Sequence, residues 1–365
     1  MTKVTSLDAI IGQSRAIETL RAAVRSERVH HAWIFAGPPG VGKRTTAEAF
    51  AALLLDPTTG PTLTGQIEPD PESETQRLAA EGTHPDLHVI TKELAAFSEE
   101  SRIRNQKQRT IAKEVIEKHL LDPIALASTM PGGMASKVFI VDEAELMDAS
   151  MSNATTQNAM LKTLEEPPAG AVVILVTARE ERLLPTVRSR CHRVSFGVLD
   201  DAAMDAWFDV AELDVSKTQR AWLTRFAGGS PGRAVVAAET GLDAWAETLE
   251  PMLSQIETGR FSRDLGSTMA KLIDEWAKAW VKRGEKAGGR PSKEAANHLA
   301  ARHLFTLLSE WARTGLRAAA TGDAHDAMER SARAIDLIGL AESQMLSNVR
   351  ADFVLDNLAA QLVEA

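Results

Sequence analysis

Ala32–Ala36, AWIFA, is a short apolar run that passes straight into GPPGVGK (Gly37–Lys43), and TTAEAFAALLL (Thr45–Leu55) follows with the composition of a helix. A strand, a glycine-rich turn and a helix joined without a spacer admit few folds. Glycines let backbone N–H groups close around an anion, and the helix N-terminus adds a favourable dipole. The sequence therefore predicts a phosphate cradle shaped by Gly37, Gly40 and Gly42, with Lys43 as a point charge for the outer phosphates.

One position breaks the pattern. In G-x-x-x-x-G-K-[ST] the last residue places a hydroxyl on magnesium, and here that residue is Arg44. A guanidinium only donates hydrogen bonds and cannot ligate a cation. Thr45 could reach a phosphate but points about 100° further round the helix. ATP or ADP is expected to bind with its Mg2+ poorly held, and hydrolysis should suffer more than binding.

DLHVI (Asp86–Ile90), KVFIVDE (Lys137–Glu143) and AVVILVTA (Ala171–Ala178) are further β-rich runs, and a helical stretch stopped by Pro167–Pro168 separates the last two. Apolar strands alternating with helices imply a parallel sheet covered on both faces, hence an α/β fold reaching to about Phe196. Beyond Asp200 the β signal disappears. Ala202–Thr240 reads as a small helical unit broken by GGSPGR (Gly228–Arg233). The rest is helical, interrupted by the polar KRGEKAGGRPSK (Lys282–Lys293). Asp56–Glu81, rich in Pro and Gly and then acidic, is expected to be an exposed, loosely ordered insertion.

In VFIVDEAE (Val138–Glu145), Asp142 at the strand end can hold a metal-bound water, which makes it a possible magnesium residue. Glu143 can orient or deprotonate an attacking water. Thr177, at the tip of the next strand, is placed either to sense a terminal phosphate or simply to cap the strand. VRSRCHRV (Val187–Val194) carries Arg188, Arg190 and Arg193 in a polar segment after the last strand; Arg190 is a candidate arginine finger for a neighbouring subunit, against the default of a surface ion pair. Arg233 opens a helix of the second unit and either reaches back to phosphate or lies on the surface. Arg102, Arg104, Lys107, Arg109 and Lys113, mixed with Glu, form a solvated helix face or a local contact to a nucleic-acid backbone.

Composition limits the alternatives. A net charge of −9 gives no global attraction to nucleic acid. The single cysteine, Cys191, excludes an internal disulfide and an all-cysteine zinc site. No apolar run approaches the roughly 18 residues of a membrane span, and MTKVTSLDAIIG lacks a signal-peptide layout, so a cytoplasmic protein without membrane contact is expected.

Taken together, IIGQ (Ile10–Gln13), HHAWIFAGPPGVGK, AEGTHPDLHVI, KVFIVDEAELM, NAMLKTLEEPP, VRSRCHRVSF and GGSPGRA resemble, in order, the AAA+ clamp-loader family of bacterial replication. The resemblance implies an AAA+ nucleotide-binding-like domain (1–197), a small helical lid (198–241) and an all-helical collar (242–365) through which five such subunits form a ring. It also makes Arg190, in SRC (Ser189–Cys191), a trans-acting finger and Arg233 a second sensor. GTHPDLHVI and Arg44 favour the delta-prime branch over the motor branch (gamma/tau). That implies a stator, at most a weak ATPase by itself, in a DNA polymerase III holoenzyme whose polymerase activity resides in another subunit. The implied partners are gamma/tau and delta subunits, primed DNA within the assembly and, indirectly, the sliding clamp. Family members usually carry four cysteines where Asp56–Glu81 has none, so no zinc is expected. The alternative is a self-sufficient AAA+ motor, either a gamma/tau-type loader or a branch-migration helicase. The all-helical tail offers no winged DNA-binding domain for the latter. A nucleoside kinase fails because nothing resembles a phosphoryl-acceptor site.

Overall fold

The computed structural model describes residues 6–26, 29–62, 65–104, 110–148, 154–286, 292–320, 325–346 and 349–364. The chain separates into two compact units, Met1–Glu212 with Gly228–Gly232, and Leu213–Ala227 with Arg233–Ala365.

The strands of the first unit are β1 (Ala32–Ala36), β2 (Gly60–Pro61), β3 (Ile67–Glu68), β4 (Leu87–Ile90), β5 (Lys137–Val141), β6 (Ala171–Thr177) and β7 (His192–Ser195). Among the described residues they form a five-stranded sheet, ordered β4-β5-β6-β1-β7, and the small hairpin β2-β3. Every pairing in the larger sheet is parallel. Its helices include α1 (Ser14–Arg25), α2 (Lys43–Leu55), α3 (Glu74–Glu81), α4 (Thr155–Glu165), α5 (Pro185–Arg188) and α6 (Asp201–Val210), with further short helical turns between β4 and β5.

Alternation along the strands explains the layering. Trp33, Phe35, Val138, Ile140, Val172 and Ile174 face one core, shared with α1 and α2. Ala32, Ile34, Phe139, Val141, Val173 and Leu175 face the other, shared with α4 and α5. Side chains of period two thus fill both faces, and apolar runs with no polar alternation are what a doubly covered sheet requires. β7 corrects the sequence reading, which ended the strands at β6. Only Val194 of HRVS is buried, because β7 is an edge strand, and a polar edge hides the β signal.

The segment after α2 is also better organised than its composition suggests. Asp56 is 0% exposed. Its carboxylate accepts hydrogen bonds from the Thr58 N–H (2.9 Å), the Thr58 hydroxyl (2.6 Å), the Ser73 hydroxyl and the Gln76 amide (3.0 Å). Gln76 also donates to the Ala52 carbonyl of α2 at 3.1 Å. Ser73 in turn caps α3, accepting from the Gln76 N–H, and Gly82 ends that helix in the left-handed conformation. Pro and Gly here shape turns around one buried carboxylate.

In the second unit are α7 (Lys217–Ala227), α8 (Pro231–Thr240), α9 (Leu242–Glu257), α10 (Leu265–Lys286), α11 (Lys293–Ala320), α12 (His325–Leu346) and α13 (Ala351–Val363). α10 packs on α11 and α13, and α12 packs on the same two, so the four close a ring of neighbours as in a four-helix bundle. Met269, Ile273, Leu304, Leu308, Ile338 and Leu355 are buried among these helices at helical spacing. Among the described residues no helix is long and apolar enough to cross a membrane.

Candidate functional site

Parallel strands bring their carboxyl ends to one edge, where the loops after β1, β5 and β6 meet. The loop Gly37–Gly42 leaves β1 and enters α2 at Lys43. Gly40 and Gly42 have φ of 74° and 94°, a region that costs other L-residues about 1 kcal/mol. An added Cβ at Gly42 would meet nothing within 4 Å, so the space in front of the loop is open there.

The loop's carbonyls are tied down by donors from distant parts of the chain. Gln13 is buried and donates to the carbonyls of Val41 (3.1 Å) and Gly197 (2.8 Å), while its own oxygen accepts the Gly197 N–H. The Ser230 hydroxyl donates to Pro39 O at 3.0 Å and the Gly232 N–H to Gly40 O at 2.8 Å. Lys43 Nζ donates to the carbonyls of Gly37 (2.7 Å) and Pro38 (2.5 Å). With its acceptors held outward or capped, the loop suits an anion better than a cation. Burial pushes the Lys43 ammonium pKa down, against the opposing pull of the Glu145 and Asp142 carboxylates.

Two carboxylates that could drive hydrolysis each carry a cation from this chain. The Arg44 guanidinium lies 3.1 Å from Asp142 Oδ2 and 3.0 Å from Glu48 Oε1. Burial opposes its charge, but the Glu48 hydrogen bond and the Asp142 charge outweigh it and raise its pKa further. Glu143 Oε2 is 2.5 Å from Lys92 Nζ, which comes from the segment after β4. Among the described residues Glu143 is the one non-glycine residue with positive φ, at 51°. Thr177 is buried and its hydroxyl donates to Glu145 Oε2 at 2.7 Å, so that proton is already committed. Thr45 sits half-buried on the first turn of α2.

These residues fit a phosphate group and do not fit magnesium. A divalent ion beside Asp142 would have to share that carboxylate with the Arg44 guanidinium, 3.1 Å from it, and would be repelled by it.

Arg190 lies just before β7, partly exposed. Its guanidinium pairs with Glu165 at the end of α4 and donates to the Thr186 carbonyl at 2.7 Å. Beside it, burial alone pushes the Cys191 thiol up to about 12. Arg193 is occupied with Glu180 at 2.6 Å. In the second unit, Arg233 pairs with the buried Glu310 at 3.2 Å and lies over the Phe226 ring; Arg317 meets the same carboxylate at 2.9 Å. In the mixed-charge segment Arg104 donates to Ser98 O and Lys113 pairs with Glu117. Lys107, Arg109 and the Arg102 side chain lie outside the described residues.

Sequence reasoning missed Lys92, Glu165 and the clamp made by the Gln13 side chain. Glu165 stands in the quoted LEEPP, but nothing in spacing links it to a residue 25 positions on.

A family model described as DNA polymerase III, delta subunit, matches residues 12–200. The chain is similar to DNA polymerase III subunit delta' of Pseudomonas aeruginosa, 31% identical over 256 residues that span 69% of this chain and 70% of that one. With the Escherichia coli delta' subunit it shares 30% identity over 263 residues, 72% of this chain and 70% of the relative. The gamma/tau subunit of Mycobacterium tuberculosis is 27% identical over 274 residues, covering 74% of this chain but 42% of that longer protein.

Proposed function

The chain belongs to the delta-prime family of DNA polymerase III subunits, and we propose that it acts in the clamp loader as a stator, offering Arg190 to the nucleotide of an adjacent gamma/tau motor. In that role it assists ATP-driven loading of the sliding clamp onto primed DNA alongside gamma/tau and delta. The observation that carries the reading is the double neutralisation of its own site, Asp142 by Arg44 and Glu143 by Lys92. A carboxylate whose oxygen is already paired with a cation of its own chain is not free to hold a water or a metal ion. The self-sufficient motor is disfavoured on the same ground.

Arg190 supplies what the site itself has set aside. A guanidinium aimed at a transferring phosphoryl group stabilises its equatorial charge, and an arginine finger raises turnover by about 10³–10⁵. The pair with Glu165 keeps the side chain ordered until a stronger anion arrives. Residues 242–365 are assigned to assembly. Phe261, Leu340, Val349 and Phe353 are large exposed apolar side chains in that region, as a subunit interface would need.

The test is ATP turnover by a reconstituted loader carrying Arg190→Ala. The site receiving this finger should slow by about 10³-fold or more while the subunits still co-elute. Unchanged turnover would remove the finger assignment.

A further inference from the structure

Arg44 does more than spoil a magnesium site. Its guanidinium occupies the space in front of Asp142, at the first turn of the helix that follows the cradle, and Glu48 and Asp142 hold it from two sides. A polyphosphate seated on Gly37–Lys43 would therefore meet a fixed positive charge where a hydrated divalent ion otherwise stands. A guanidinium presents several donors in a plane and can turn one edge to a phosphate while the other stays on a carboxylate. Being always charged, it needs no ion from solution.

We propose that this site binds nucleoside di- or triphosphate without a divalent cation, Arg44 serving as the resident counter-charge between Asp142 and the phosphates. The inference concerns the same site as the stator reading and rests on it in one respect, that the cradle is retained for binding and not for turnover. Four observations support it. The loop glycines keep their left-handed conformations, and Gly42 leaves open space before the loop. The carbonyls of residues 37–41 accept from Lys43, Ser230, Gly232 and Gln13, so each of these acceptors already has a donor of this chain. Lys43 is buried beside Arg44, so two cations flank the cradle. The carboxylates that would repel a phosphate are paired with Arg44 and Lys92.

The experiment is equilibrium titration of the full chain with fluorescently labelled ADP, in magnesium buffer and in EDTA, for the unmodified protein, Arg44→Thr and Arg44→Lys. The unmodified protein should bind with a Kd that shifts less than about twofold between the buffers; Arg44→Lys, which keeps the charge but not the fork, should bind more weakly in both buffers while remaining equally indifferent to magnesium. Arg44→Thr frees Asp142 and restores a hydroxyl, so its affinity should become about tenfold tighter with magnesium than without. Circular dichroism on each variant guards against misfolding. Binding by the unmodified protein that needs magnesium would overturn the proposal, and accompanying turnover would overturn the stator reading as well. No binding in either buffer would also overturn it while leaving the Arg190 finger, read in the reconstituted loader, untouched.

Discussion

Asp56 provides the sharpest test of how the segment after α2 is held. The perturbation is Asp56→Ala. The carboxylate is fully shielded and accepts four hydrogen bonds, from two groups of Thr58, from Ser73 and from Gln76. When it is removed, the two hydroxyls can rotate towards other acceptors. The buried Gln76 N–H cannot, whereas the Thr58 N–H belongs to an exposed residue and can turn to water. One stranded buried donor costs about 1.5 kcal/mol and the small cavity adds about 1, so the loss should be ~2–3 kcal/mol. At roughly 3 °C per kcal/mol for a unit of this size, the melting temperature should fall by about 6–9 °C. Thermal unfolding measures that shift, and limited proteolysis should show new cleavage within 57–81. Asp56→Asn, which keeps the shape and part of the acceptor capacity, should lose about half as much. If Asp56→Ala melts within about 1 °C of the unmodified protein, the carboxylate does not organise the segment and the reasoning fails.

Two further outcomes follow from burial. With its thiol pushed up to about 12, Cys191 should react with a disulfide reagent at pH 8 about 10²-fold more slowly in the folded protein than after denaturation, the scarcer thiolate being partly offset by its greater nucleophilicity; equal rates would show it accessible and ionised. Burial lowers the pKa of His84, His88 and His119, all in or beside the β4 edge, with Lys137 adding to the effect at His88. Between their folded values and the ordinary value near 6.5 the unfolded chain binds more protons. Stability should therefore be full above about pH 6.5 and fall as pH drops below it, seen as a declining melting temperature between pH 7 and 5. A flat profile over that range would refute the assignment.

The legible parts of this chain are those where one residue type has one physical use. AWIFA, KVFIVDE and AVVILVTA are continuous apolar runs, and only a strand covered on both faces uses them. Gly40 and Gly42 stand where left-handed backbone is needed. HRVS was illegible because an edge strand with one buried residue looks like a loop. The pairs that define the site were illegible for another reason. Arg44 meets Asp142 across 98 residues of sequence and Lys92 meets Glu143 across 51. Charge has no period from which a partner can be read. Arg44 could be recognised as unable to ligate magnesium from its type alone; that it pairs with Asp142 required the fold.

The donors that hold the loop carbonyls carry a consequence for the order in which the protein is made. Gln13 and Gly197 are 184 residues apart, and Pro39 and Ser230 are 191 apart. At roughly 5–20 residues per second, the loop leaves the ribosome about 10–40 s before the residue that fastens Pro39 has been synthesised. The full motif, strand and helix included, is thus present in the nascent chain long before its loop carbonyls have their partners. The loop is fastened late, by residues the ribosome delivers far apart in time, and its observed geometry is complete only once residues 230–232 have emerged.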